Sequence, residues 1–268
     1  MRKYSLIFVC AVLIFLSGSC PAWADGSLTK SELQKLILET IRENPQVLID
    51  ILRNNSETVL DIAQEGSNQR RIHTLQKQWQ KDLGEKKNVR TSGRPVLGDK
   101  DAPVRIVAFS DFTCHYCQAS KSVLDSLLKE FKGKVSFIFK SIPLEEKGAS
   151  ALASVWFLAI AQQDEGKAWE FYDAMFAQKD KLQSDAEHFI RKVAKDLKIN
   201  MTKAENDVRN NKKIRTLLRE DREDADKLGV EGTPCFYVNN IVVRGAQPLE
   251  FFRIAVKMAL QKTEEQGQ

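Results

Sequence analysis

The chain has 268 residues, 43% of them hydrophobic and 29% charged, with a net charge of +5. These values place it with ordinary globular proteins and exclude disordered, fibrous and membrane-spanning classes. Charges of both signs are interspersed along the chain, so nothing in their pattern asks for nucleic acid or an anionic membrane.

The first 24 residues read as a secretory signal peptide. Arg2 and Lys3 form a short positive start, residues 6–16 are an apolar run too short to span a bilayer comfortably, and Ala22-Trp23-Ala24 is a small-x-small cleavage site. Cys20 follows Ser17-Gly18-Ser19, whereas a lipoprotein site wants Leu where Ser17 stands. The expectation is a soluble periplasmic protein, secreted through cleavage of this signal. Cys10 and Cys20 leave with the leader, and Cys114, Cys117 and Cys235 remain. A C-x-x-C pair plus one extra thiol suits chemistry better than a structural disulfide framework, which carries more cysteines in even number.

Residues 25–83 read as a helical oligomerisation segment. Thr29 and Glu32 fit a capping box, and Leu33, Leu36, Ile37 and Ile41 recur at helical spacing. Asn44-Pro45 closes that helix and starts another, with Asn as cap, Pro in the first turn, and Val47, Leu48, Ile51 and Leu52 as the apolar stripe. A more polar third helix runs from Ser56 towards Leu83. So few short helices build no self-sufficient core. Residues 84–100, rich in Lys, Gly and Pro, read as a linker. A linker favours burial of the stripes against copies of the same chain, in a homodimer or homotrimer.

Residues 101–268 read as an α/β domain. Residues 104–109 form a buried strand, Ser110-Asp111-Phe112-Thr113 a turn, Cys114 opens a helix to about 131, and 135–140 form a second strand. A mostly helical block follows over about 145–228. Residues 236–238 and 241–243 then flank Asn239-Asn240, a hairpin dipeptide, and a last helix spans about 249–260.

Cys114 at a helix N-terminus meets free N–H groups and the positive end of the helix dipole, which favour a thiolate. Cys117, one turn on, is covered by its own helix. Cys114 is therefore the nucleophile that forms a mixed disulfide and Cys117 the thiol that resolves it. His115, between them, either stabilises the thiolate when protonated or is an exposed tip residue. Thr233-Pro234 precedes a strand, where proline is permitted.

With Val107-Ala108-Phe109-Ser110-Asp111-Phe112, Cys114-His115-Tyr116-Cys117, and Thr233-Pro234 ahead of Phe236-Tyr237-Val238-Asn239, the chain resembles the bacterial DsbA-like proteins of the thioredoxin superfamily from about 95 to 260. The resemblance implies a thioredoxin-like fold with an inserted helical subdomain, preceded by an all-helical segment. It implies that Pro234 is cis, and that the Thr233 backbone lies against the Cys114 sulfur and binds extended substrate chain. Tyr116 before the second cysteine is more like the disulfide isomerases and the ScsC suppressor-of-copper-sensitivity proteins than DsbA itself. Residues 37–48 are also similar to the oligomerising leading segment of ScsC-type proteins.

Three departures from that family stand out. Ala108 occupies the place where relatives carry a buried Glu that exchanges protons with the second thiol. Lys140 matches a Lys that pairs with that acid; here it acts alone or through water, or is an exposed strand-end lysine. His115 replaces the usual Pro or Gly. Cys235 follows the proline where a small residue is usual. It reads as a small buried residue facing away from Thr233, or as a third redox thiol that with Cys114 and Cys117 holds a soft ion such as Cu(I). His73 and His188 have no ligand partner at helical spacing, and Trp156 and Trp169 fill the helical layer.

The sequence thus points to an exported protein-disulfide oxidoreductase, an oligomeric isomerase that needs neither cofactor nor metal and no nucleic acid. Its partners are unfolded or misoxidised exported proteins and a membrane redox partner. The alternatives are a DsbA-type dithiol oxidase and, in another class, a copper-sequestering or chaperone-like binding protein.

Overall fold

A computed structural model describes residues 29–266, so the expected signal peptide over residues 1–24 lies outside the described residues. Two compact units meet in sequence at Glu65 and Gly66.

The first unit holds helices α1 (Lys30–Glu43) and α2 (Pro45–Asn54) and the start of α3 (Ser56–Gly84). The capping box forms: the Thr29 hydroxyl accepts from the Glu32 N–H and the Glu32 carboxylate accepts from the Thr29 N–H. Asn44 departs from its expected role. Its side chain turns back to donate to the Thr40 carbonyl and its N–H closes α1, so Pro45 opens α2 without a side-chain cap. The expected apolar stripes exist, but none of their residues is buried; Leu33, Leu36, Ile37, Val47, Leu48, Ile51 and Leu52 all face out.

In the second unit the remaining elements follow α3 in order: β1 (Leu97–Gly98), β2 (Val104–Ser110), α4 (His115–Glu130), β3 (Val135–Ser141), α5 (Ala149–Ala161), α6 (Glu165–Ala177), α7 (Lys179–Ser184), α8 (Ala186–Asp196), α9 (Met201–Asn210), α10 (Lys212–Lys227), β4 (Cys235–Val238), β5 (Ile241–Arg244) and α11 (Leu249–Gln266). The sheet order is β1-β3-β2-β4-β5, with β2 and β3 parallel and the other pairs antiparallel. This is the thioredoxin-like arrangement, with α5–α10 as the helical insertion.

β2 and β3 are buried on both faces, as their Val-, Ile- and Phe-rich runs require. Alternation sends Ile106, Ala108, Phe137 and Phe139 to one face, where they meet Trp156, Phe157, Trp169, Tyr172 and Phe176 of α5 and α6. Val107, Phe109 and Ile138 go to the other face with Cys235 and Tyr237. Each fully buried large side chain of this kind contributes about 1.5–3 kcal/mol. Trp156 and Trp169 fill the helical layer as expected, and Trp79 of α3 joins the same core and donates its indole N–H to the Val242 carbonyl at 2.9 Å.

Residues 84–100 are not a free linker. Arg94 is buried, its Nε 2.7 Å from Asp221, and Arg90 binds Asp224 at 2.7 Å through Nε; both acids lie on α10. Lys87 pairs with Asp82 at 2.9 Å, and Leu97 pairs with Phe137 in the sheet. The composition reads as solvated because these partners stand far away in sequence.

Candidate active site

β2 ends at Ser110, and the chain turns through Asp111, Phe112 and Thr113 into α4. Phe112 anchors the turn, fully buried against Phe139, Tyr172 and Phe176. Its N–H donates to the Ser150 hydroxyl at 3.1 Å. Asp111 shapes the rest. One carboxylate oxygen accepts from the Thr113 N–H, the Thr113 hydroxyl and the Cys114 N–H, and the other accepts from the Leu144 N–H at 2.7 Å. Asp111 is fully buried, and both of its carboxylate oxygens are taken up by these donors. The sequence had offered Asp111 only as a turn residue. An aspartate whose side chain takes the N–H groups two and three residues on is the signal that would have found it.

Cys114 is the N-cap of α4, with extended backbone, and is half-buried; Cys117 sits in the first turn and is buried. The Cys114 Sγ lies 3.6 Å from the Thr233 carbonyl oxygen, and the Thr233–Pro234 peptide is cis. A hydrogen bond from the Cys117 side chain is the main reason the Cys114 thiol falls from 9.0 to about 5; burial opposes the shift, and the Thr233 side chain and the Cys117 and Tyr116 N–H groups support it. Burial, followed by the interaction with Cys114, pushes the Cys117 thiol far up. The two thiols therefore differ in kind: one is ionised at neutral pH and reachable, the other is covered and keeps its proton.

His115 is exposed, and its ring packs edge-on against Tyr116 at 5.6 Å. Tyr116 is 64% exposed and Leu144 69% exposed; among the described residues from Gly66 on, these are the large apolar side chains open to solvent. The Asp111 carboxylate ties the Leu144 backbone to that of Cys114.

Lys140 is neither an exposed strand-end lysine nor a partner for position 108. Its side chain is fully buried, and its ammonium contacts Asp224, Asp221 at 3.3 Å and the Arg90 carbonyl at 3.0 Å. It is in register with Phe109, whereas Ala108 is in register with Phe139, so Lys140 lies on the opposite face of the sheet from Ala108 and Cys117. Its two carboxylate partners come from the insertion, more than 80 residues downstream, which no local pattern reveals.

Cys235 lies on that same second face, in register with Phe109. It is buried, and burial pushes its thiol up to about 11, with Arg244 opposing. Cys114, Cys117 and Cys235 do not converge on one point. Among the described residues no three His, Cys, Asp or Glu side chains form a cluster that could hold a metal ion, and no helix is long and apolar enough to cross a membrane. His73 and His188 lie on α3 and α8, away from the thiols in sequence and element.

A half-buried thiolate beside a covered thiol can attack a disulfide and then be relieved of the resulting mixed disulfide. Comparisons with known proteins agree with that chemistry. Residues 90–258 match the thioredoxin family model. The chain is 35% identical over 155 residues to the probable disulfide bond formation protein D of Bacillus anthracis, covering 55% of this chain and 70% of the relative. Among solved structures it is similar to the thiol-disulfide exchange protein alpha-DsbA2 of Wolbachia pipientis, with TM-score 0.57, 24% identity and coverage of 72% and 97% of the two chains. It is also similar to the catalytic domain of Proteus mirabilis ScsC, with TM-score 0.55, 23% identity and coverage of 64% and 92%. At these identities the two structures speak for the fold.

Proposed function

The chain belongs to the thioredoxin family, among its DsbA-like thiol–disulfide oxidoreductases, and from that premise we propose that it is an exported protein-disulfide isomerase that assembles through its N-terminal helices. The observation that carries the redox reading is the pair of adjacent thiols with opposed ionisation, Cys114 near 5 and Cys117 far above an ordinary thiol, at the Thr233 carbonyl.

In this reading the Cys114 thiolate attacks one sulfur of a wrong substrate disulfide. A bond forms between Cys114 and that sulfur, the substrate S–S bond breaks, and the other substrate sulfur leaves as a thiolate. A second substrate thiolate then attacks the mixed disulfide, forms the new pairing and returns Cys114 to the thiolate. If the substrate stalls, Cys117 attacks Cys114 instead and releases the substrate reduced. The Thr233 and Pro234 backbone holds the extended substrate chain, the exposed Tyr116 and Leu144 side chains offer apolar surface to it, and His115 rims the site. Cys235 and Lys140 stand on the far face of the sheet and take no part. The substrates are unfolded or misoxidised exported proteins, and a membrane redox partner restores the working state of the dithiol.

The isomerase choice rests on α1 and α2. Their exposed apolar stripes favour self-association into a dimer or trimer that sets several Cys114 thiolates around one substrate. An oxidase is the second reading. A thiolate stabilised to about 5 stabilises the reduced enzyme, which makes its disulfide a stronger oxidant. No observation favours the copper-sequestering alternative, since Cys235 points away from the other two thiols.

The test is reactivation of a scrambled-disulfide model protein by the chain from Asp25 and by a chain starting at Gly66, which retains both core clusters. Reactivation by the longer chain alone supports the oligomeric isomerase. Oxidation of dithiols by both, without reactivation, selects the oxidase, and no turnover by either removes the proposal.

A further inference from the structure

β5 is the last strand at one edge of the sheet, and the second half of α3 runs beside it. Two side chains of α3 take up backbone groups that an edge strand leaves unpaired. The Trp79 indole N–H donates to the Val242 carbonyl at 2.9 Å, and the Asp82 carboxylate accepts from the Val242 N–H at 3.2 Å. Between helix and strand lies a cavity of about 550 Å³, a volume typical of small-molecule sites. Arg71, Leu75, Gln78 and Asp82 share one face of α3 and line it, with Arg71 and Asp82 about 16 Å apart along the axis. Val242 and Arg244 line it from β5, and Trp79, Tyr237 and Leu228 add apolar wall.

The two ends of the cavity differ in charge. At one end Asp82 and Glu85 share Lys87, at 2.9 Å and 3.2 Å. At the other stand Arg71 and Arg244, linked through Gln247, whose side chain accepts from Arg71 at 2.8 Å and donates to the Arg244 carbonyl at 2.7 Å. The Arg71 guanidinium also lies 5.2 Å from the centre of the Phe251 ring, and the Arg244 guanidinium donates to the Gly229 carbonyl at 3.2 Å. Each arginine is thus held by neutral groups, and neither forms an ion pair among the described residues. A guanidinium carries five donors in a planar fork, so both have donors to spare, in the geometry that a carboxylate fits.

We propose that this cavity binds a small organic monocarboxylate, its head on Arg71 and Arg244 and its apolar body along Leu75, Trp79 and Val242. The acids at the far end repel a second carboxylate, which sets the limit of one. None of the residues placed around Cys114 lines the cavity, so the inference goes beyond the thiol chemistry and holds for an isomerase and an oxidase alike.

The experiment titrates the chain from Asp25 with hexanoate and follows the Trp79 indole N–H resonance, which Trp79→Phe identifies. A saturable shift with Kd on the order of 1 mM is expected. Arg71 and Arg244 are both exposed, and Arg71→Gln and Arg244→Gln should each weaken binding about tenfold while the rate of Cys114 alkylation stays unchanged. 1-Hexanol, which has the body without the charge, and inorganic phosphate, which has charge without the body, should each bind about tenfold more weakly than hexanoate. No saturable shift up to about 10 mM hexanoate overturns the proposal. So does 1-hexanol or phosphate binding as tightly as hexanoate, or undiminished hexanoate affinity in either arginine variant.

Discussion

Replacing Cys117 with Ala should raise the pKa of Cys114, because the Cys117 side chain is the largest single cause of its depression. At about 5 against an ordinary 9.0, Cys114 is roughly 99% thiolate at pH 7 where a free thiol is about 1% ionised. A hydrogen bond to a charged group contributes about 1.5–3 kcal/mol, and a thiol is a weak donor, so the lower end applies. At 1.36 kcal/mol per pKa unit, the loss moves Cys114 up by about one unit. Near pH 5.5 the thiolate fraction then falls from about three-quarters to about one-quarter. The assay is far-ultraviolet thiolate absorbance against pH, with iodoacetamide rates as a check. Cys235, at about 11, stays silent in this window. The linkage has a definite sign. A depressed folded-state pKa stabilises the reduced protein fully above pH 9.0 and loses that stabilisation as pH falls through about 5. The reduced form should therefore gain stability over the oxidised form as pH rises between these two values. A wild-type midpoint near 9, or a midpoint unmoved or lowered by Cys117→Ala, refutes the reasoning.

Lys140→Met leaves Asp221 and Asp224 buried with only Arg94 and Arg90 to answer them. Breaking a buried pair costs about 3–5 kcal/mol, so the unfolding free energy read from urea titration should fall by an amount near the lower figure while Cys114 alkylation keeps its rate. Asp111→Asn turns one acceptor into a donor that faces the Leu144 N–H. About 1–3 kcal/mol of stability should go, and the Leu144 amide should exchange faster, whereas protection equal to the wild type would deny the bridge. Trp79→Ala removes a buried indole and frees the Val242 carbonyl. A loss of about 3–5 kcal/mol in the chain starting at Gly66 is expected by calorimetry, and a loss under about 0.5 kcal/mol would show that α3 is not part of that core.

The working end of the molecule was legible because its signals are local. A C-x-x-C where a strand of Val, Ile and Phe gives way to a helix specifies a nucleophile at an N-cap, and Thr233-Pro234 before the hairpin supplies the opposing backbone. The capping box at Thr29 and the apolar stripes of α1 and α2 were equally plain, since each depends on residues three or four apart. Asn44 stands at the junction of α1 and α2 as its place before Pro45 predicts, but its side chain bonds back to α1 rather than forward to α2.

What the sequence by itself determined is the identity and order of the reacting thiols, for helix position and spacing decide which sulfur is exposed and which is covered. Tertiary structure alone decided the rest. Residues 84–94 look solvated until Asp221 and Asp224 arrive from α10, and Lys140 looks like a partner for position 108 until strand register sends it to the other face. Asp111 looks like a turn residue until its buried carboxylate joins the Cys114 and Leu144 backbones. The physical reason is the same in each case: a buried charge or hydroxyl is tolerable only with a partner, and those partners are brought together by folding.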